Sequence, residues 1–157
     1  MSNQPPNAEG NPPPTRHSEL AARHSVEVSA GLIFRAGQLL ITQRPARGHL
    51  AGLWEFPGGK REAHETFEDC LRRELREELG VETHVQEELE RLTHDYAEKS
   101  VHLRFFRCTL AENSPEPRAI ECQAFAWVTR ATLKEFTFPA ADERLLALLA
   151  TRESLWR

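Results

Sequence analysis

Three glutamates, Glu74, Glu77 and Glu78, are related by i,i+3 and i,i+4 within the run Arg72-Arg73-Glu74-Leu75-Arg76-Glu77-Glu78-Leu79. On an α-helix that spacing sets their carboxylates on adjoining turns of one face, where each like-charged pair repels by roughly 0.2–0.5 kcal/mol. Arg73 can relieve Glu77 at i,i+4. The positions three and four away from Glu74 hold Leu71, Glu77, Cys70 and Glu78, and none of these is basic. A positive partner from outside the helix is therefore expected, and a cluster of hard oxygen ligands suits Mg²⁺ better than a softer metal. The alternative is a solvated, charge-laced helix edge.

The surrounding sequence marks the element that must carry these acids. Phe67, Leu71, Leu75 and Leu79 recur every four positions and form one apolar stripe, which predicts a helix with that stripe against a core. Thr66 is placed to cap its start and Gly80 to end it. Just upstream, Gly58 and Gly59 allow a close approach of backbone to a ligand, or simply a tight turn.

Residues 59–81 resemble the box of the Nudix family. The pattern is Gly, five residues, Glu, seven residues, Arg-Glu, an aliphatic, any residue, Glu-Glu, any residue, Gly and an aliphatic. Gly59, Glu65, Arg73, Glu74, Leu75, Glu77, Glu78, Gly80 and Val81 fill every fixed position. A chance match of this kind is on the order of one in 10⁹ per window at average residue usage. The resemblance extends over roughly residues 26–150, most closely to MutT-type members, through Leu40 to Ala46, Trp54 to Lys60 and Phe138 to Glu143.

The resemblance implies an α/β fold, a mixed sheet sandwiched between helices, and hydrolysis of a nucleoside triphosphate to a monophosphate and pyrophosphate. It implies Mg²⁺, with Mn²⁺ as a substitute, held by Glu74, Glu77, Glu78, the main-chain carbonyl of Gly58 and the loop residue Glu121, six before Trp127. Either Glu121 or a helix glutamate would be the general base, with Glu65 and Arg73 orienting the helix acids. Arg44, Lys60, Phe56 and His49 match or neighbour positions that approach the nucleotide. Asp142 departs from the bacterial MutT pattern, which has Asn there. An amide both accepts and donates, as the N7–H and O6 of 8-oxoguanine require, whereas an ionised carboxylate only accepts. Asp142 thus either reads the base or merely caps the last helix. The substrates implied are 8-oxo-dGTP, then CTP or a modified pyrimidine nucleotide, or a triphosphate RNA end. The rival from another class, a non-catalytic recognition module, is disfavoured because every acid of the box is present.

The whole chain bounds these expectations. Its 157 residues, 39% hydrophobic, suffice for one core. A net charge of −4 gives no footprint for non-specific nucleic-acid binding, so an anionic substrate needs metal ions and a few placed cations. Cys70, Cys108 and Cys122 are widely spaced and read as buried thiols in a reducing compartment. Neither an apolar leader nor a run of 18 apolar residues occurs, so a cytoplasmic protein without membrane partners is expected. Oligomeric state leaves no mark in the pattern.

Residues 1–24, rich in Pro and Asn, read as a disordered tail, with a helical turn conceivable at 20–23, and residues 25–157 as the domain. Val26 to Phe34 and Gln38 to Thr42 predict a hairpin turning at Arg35-Ala36-Gly37. Val85 to Leu92 and Val101 to Leu110 predict two more strands, although Phe105 and Phe106 break the alternation. A short strand at Ala124 to Val128 and a helix from Asp142 to about Arg152, with Leu145, Leu146, Leu148 and Leu149 toward the sheet, complete the expected elements.

Overall fold

The computed structural model describes residues 24–157. The predicted tail and the helical turn at 20–23 lie outside them, except that His24 already opens the first strand. The elements follow the order β1 (His24–Arg35), β2 (Gln38–Gln43), β3 (Trp54–Glu55), β4 (Gly58–Lys60), α1 (Phe67–Leu79), β5 (Thr83–Asp95), β6 (Lys99–Leu110), β7 (Ala124–Thr129) and α2 (Glu143–Thr151).

The predicted hairpin forms, with Phe34 opposite Leu39 and Arg35 opposite Gln38. Its turn residues Ala36 and Gly37 both take positive φ, 49° and 76°, the backbone a two-residue turn needs to match strand twist. Beyond that turn β1 runs parallel to β6 from His24/Lys99 to Ile33/Cys108, and β4 pairs antiparallel with its middle, Ala30 opposite Gly58. The sheet runs β3-β2-β1-β6-β5, with β4 on β1 and β7 on β2. It is the mixed sheet between helices that the resemblance implies.

Alternation sorts the strand residues onto two faces. Leu32, Phe34, Leu39, Ile41 and Phe105 join Leu145, Leu149 and Trp156 in one core. Ile33, Leu40, Phe106 and Cys108 join Leu71, Leu75, Leu79 and Val81 of the α1 side in the other. Because both faces are covered, adjacent Phe105 and Phe106 each bury into a different core, which resolves the apparent break in the β6 pattern. Cys122 is half-buried, unlike Cys70 and Cys108, and so corrects the expectation of three buried thiols.

The helix α1 ends where its sequence marks it. Thr66 Oγ1 accepts from the Asp69 N–H at 3.0 Å, and Gly80 at φ 68° donates to the Arg76 carbonyl. Ser29, fully buried on β1, donates to the Phe67 carbonyl at 2.9 Å and fixes the helix against the sheet.

Candidate active site

Glu78 of α1 lines a cleft of about 430 Å³. Of the residues singled out from sequence, Arg44, His49, Phe56, Gly58, Lys60, Glu78, Glu121 and Asp142 line it. Glu65, Arg73, Glu74 and Glu77 do not.

The reason is Arg73, whose guanidinium gathers the rest. It pairs twice with Glu65, donates to Glu74 Oε1 at 2.9 Å and to the Lys60 carbonyl at 3.1 Å, and reaches Glu77 Oε2 at 3.3 Å. Arg73, the preceding residue on the same helix, thus gives Glu74 one positive partner, yet the Glu74 carboxyl stays raised, and the expected external cation would be a second. Glu65 is held down to about 2 by the Arg73 hydrogen bond and the Glu62 N–H.

Glu74 and Glu78 are acids under electrostatic stress. Burial raises Glu74, and the neighbouring charges of Glu77 and Glu121 add to this against the pull of Arg73. Glu78 is pushed up to about 8, first by burial and then by Glu55, Glu74 and Glu121, although the Gly58 N–H donates to its Oε2 at 3.3 Å. Backbone packing requires a glycine at Gly58, and at Gly59 a side chain would displace the Glu74 carboxylate. A Cβ at Gly59 would collide with the Glu74 carboxylate, and one at Gly58 with the Ser29 carbonyl oxygen.

Glu121 is carried by a loop clipped to the end of α1. The Arg118 N–H donates to the Leu79 carbonyl at 3.0 Å, and those of Ile120 and Glu121 to the Glu78 carbonyl at 3.0 and 3.3 Å. A residue far from the box in sequence is thereby fixed beside it. Among the described residues no three His, Cys, Asp or Glu side chains converge closely enough to hold a metal ion, since Arg73 draws Glu74 and Glu77 aside. The donor chemistry nevertheless fits a hard divalent cation: after burial, Glu77 and Glu121 raise Glu74, and Glu55, Glu74 and Glu121 raise Glu78, and a cation among them would relieve that repulsion.

Much of the remaining lining is apolar. Val28, Ala30, Leu103 and Phe105 contribute to it, and Phe56 stacks on Phe138 with centroids 5.1 Å apart. Trp54 packs instead against Phe136. Asp142 lines the same cleft, 7% exposed. Its side chain makes no cap hydrogen bond to α2, so the capping alternative fails. Burial, followed by the charge of Glu55, raises it to about 6.

Sequence reading missed Glu55. It lines the cleft, its field raises both Glu78 and Asp142, and it binds Arg44 Nη1 at 2.7 Å. Arg44 also donates to the His49 carbonyl at 3.1 Å, so its guanidinium is engaged within the protein. An acid between two large aromatics, Trp54 and Phe56, was the available signal. Lys60 forms no salt bridge among the described residues, while its neighbour Arg61 pairs with Glu27.

A family model for the NUDIX domain matches residues 29–148. The chain is 37% identical to the CTP pyrophosphohydrolase of Escherichia coli over 131 residues, 81% of this chain and 96% of that protein. It is 41% identical to a putative 8-oxo-dGTP diphosphatase 2 of Mycobacterium tuberculosis, covering 78% of this chain and 86% of the relative. Among solved structures, MutT from Staphylococcus aureus superposes with a TM-score of 0.67 at 30% identity, over 82% of this chain and 98% of that one.

Proposed function

The chain belongs to the Nudix hydrolase family, and from that premise we propose that it hydrolyses a nucleoside triphosphate to the nucleoside monophosphate and pyrophosphate, with 8-oxo-dGTP as its leading substrate. The observation that carries the reading is one cleft lined both by acids, Glu55, Glu78 and Glu121, and by apolar and aromatic side chains, which suits a triphosphate joined to a base. Nudix hydrolases generally use a divalent metal. Mg²⁺ would be held by Glu74, Glu77, Glu78, Glu121 and the Gly58 carbonyl, and supplies positive charge against the triphosphate and acidifies the attacking water.

The residues of this chain divide the remaining work. Arg73 and Glu65 fix the orientation of Glu74 and Glu77. Glu78, whose carboxyl in the metal-free protein is raised to about 8, first by burial, would bind the cation deprotonated, and it and Glu121 are the two candidates to take the water's proton. Lys60, exposed at the rim, meets the phosphates. Phe56 offers its ring to the base.

Asp142 supports the choice of base. A carboxyl raised to about 6 retains part of its proton near neutral pH, and the protonated group both donates and accepts, as O6 and N7–H of 8-oxoguanine demand. A second reading, CTP, is favoured by Glu55, a second carboxyl lining the cleft with Asp142, since carboxyl oxygens accept from an exocyclic amine. The experiment is a panel of 8-oxo-dGTP, dGTP, CTP and dCTP with Mg²⁺, with pyrophosphate and orthophosphate quantified separately. Pyrophosphate with monophosphate is expected, fastest from 8-oxo-dGTP; orthophosphate release would contradict the reaction, and a CTP maximum would move the substrate to the second reading.

A further inference from the structure

Three large hydrophobic side chains are conspicuously exposed among the described residues: Leu50, Tyr96 and Ile120, at 36%, 39% and 50%. Two of them, Leu50 and Tyr96, line the same cleft. They reach it from unrelated segments, the loop joining β2 to β3 and the turn joining β5 to β6. We propose that Tyr96 and Leu50 are the two jaws that grip the nucleobase at the mouth of the cleft, an assignment that rests on the nucleotide reading above.

The backbone at Leu50 is the first support. Its φ is 56°, a left-handed conformation that a branched, bulky residue adopts only under constraint. The other non-glycine residue with positive φ, Ala36, is explained by its hairpin turn. At Leu50 the side chain gains no core burial in return. Leu50 closes a turn of its own, its carbonyl accepting from the Leu53 N–H at 3.2 Å, and that turn holds the exposed side chain on the cleft it lines.

Tyr96 is held rather than loose. Its N–H donates to the Lys99 carbonyl at 2.8 Å and closes the turn. The His94 ring lies 4.5 Å from its own at 66°, and Lys99 Nζ sits 5.8 Å from its centroid. His94 also lines the cleft, and Val101 and Leu103 continue the same wall inward. The result is a flat ring, braced by its neighbours yet substantially uncovered, beside apolar lining of the cleft. A flat heteroaromatic base is the occupant that fits, because every base has a π-face to set against an aromatic ring. Tyr96 and Leu50 would then supply affinity for any base, leaving discrimination to Asp142.

The test is product inhibition, with the monophosphate and the pyrophosphate of the best triphosphate as separate probes. For Tyr96→Ala the inhibition constant of the monophosphate should rise roughly 5- to 100-fold, while that of pyrophosphate stays put. Tyr96→Phe keeps the ring and should retain the wild-type constant. Leu50→Gly removes the side chain and supplies a residue that takes positive φ freely; it should keep its melting temperature while weakening the monophosphate roughly 3- to 10-fold. Wild-type turnover with an unchanged monophosphate constant in both Tyr96→Ala and Leu50→Gly overturns the jaws and leaves the nucleotide reading standing. Equal losses for monophosphate and pyrophosphate overturn them too, since a general distortion would then explain the data. Absence of pyrophosphate release from every triphosphate by wild type overturns the nucleotide reading, and the jaws with it.

Discussion

A continuous segment, residues 59–81, supplies Glu65, Arg73, Glu74, Glu77 and Glu78, and Glu78 lines the cleft. Val28, Phe56, Leu103, Phe105 and Asp142 reach the same cleft from separate stretches of chain. The first group is crowded with like charges held by one guanidinium. The second is apolar apart from a carboxyl that burial, followed by Glu55, raises to about 6. The proposed function divides labour along this contrast: the contiguous group would handle the phosphate chemistry and the assembled group the base.

The largest expected effect breaks the first group alone. Glu78→Gln removes one proposed metal ligand without changing shape, and turnover should fall at least about 100-fold. The order of preference among bases should survive in the residual activity. A folded Glu78→Gln protein with near-normal turnover, measured beside its circular dichroism spectrum, would separate the helix acids from the chemistry.

Asp142→Asn is the reciprocal change. Preference for 8-oxo-dGTP over CTP, read as the ratio of the two specificity constants, should rise by roughly 5- to 100-fold, the worth of about one pocket hydrogen bond. Turnover of the preferred substrate should be maintained. Since Asp142 does not cap α2 through its side chain, no loss of helix stability should accompany the change. Unchanged ratios would move base reading to Glu55.

A smaller effect is expected for Arg73→Lys. A single ammonium cannot serve Glu65, Glu74, Glu77 and the Lys60 carbonyl together, so kcat should drop about tenfold with KM nearly constant. Rising KM instead would place Arg73 on the substrate.

The smallest effect is on stability. Glu78, at about 8 against an ordinary 4.5, and Asp142, at about 6 against 3.8, bind protons more tightly folded than unfolded. The unfolded chain then holds fewer protons, so their stabilisation is complete below about pH 4 and is lost as pH rises to about 8. The metal-free melting temperature should decline across that window. Asp142→Asn should flatten the slope up to about pH 6 and Glu78→Gln up to about pH 8. A slope that neither substitution alters would assign it elsewhere.

The same contrast explains what was legible in the sequence. Thr66, the Leu71-Leu75-Leu79 stripe and Gly80 predict α1 and its ends because helix periodicity and caps are local signals. The β1–β2 hairpin and the strands at 83–110 were readable by alternation, and the Nudix box by its spacing. Arg73 as an orienter of the helix acids was legible through the box, but its direct bond to Glu74 was not, since neighbours on a helix do not ordinarily face one another and only the guanidinium's reach joins them. Glu55 was hidden because it acts through Glu78 and Asp142, remote in sequence. Tyr96 and Leu50 carry no spacing signal; one depends on a turn and the other on a positive φ that the sequence Gly48-His49-Leu50 does not announce.

The most direct measurement is a Mg²⁺ titration of metal-free wild type, Glu78→Gln and Asp142→Asn, followed by melting temperature. A cation that relieves repulsion only in the folded state stabilises it by mass action. Wild type and Asp142→Asn should gain alike with millimolar Mg²⁺, and Glu78→Gln distinctly less. No rise in wild type over its EDTA-treated form, or a full rise retained in Glu78→Gln, would contradict a cation site among these acids.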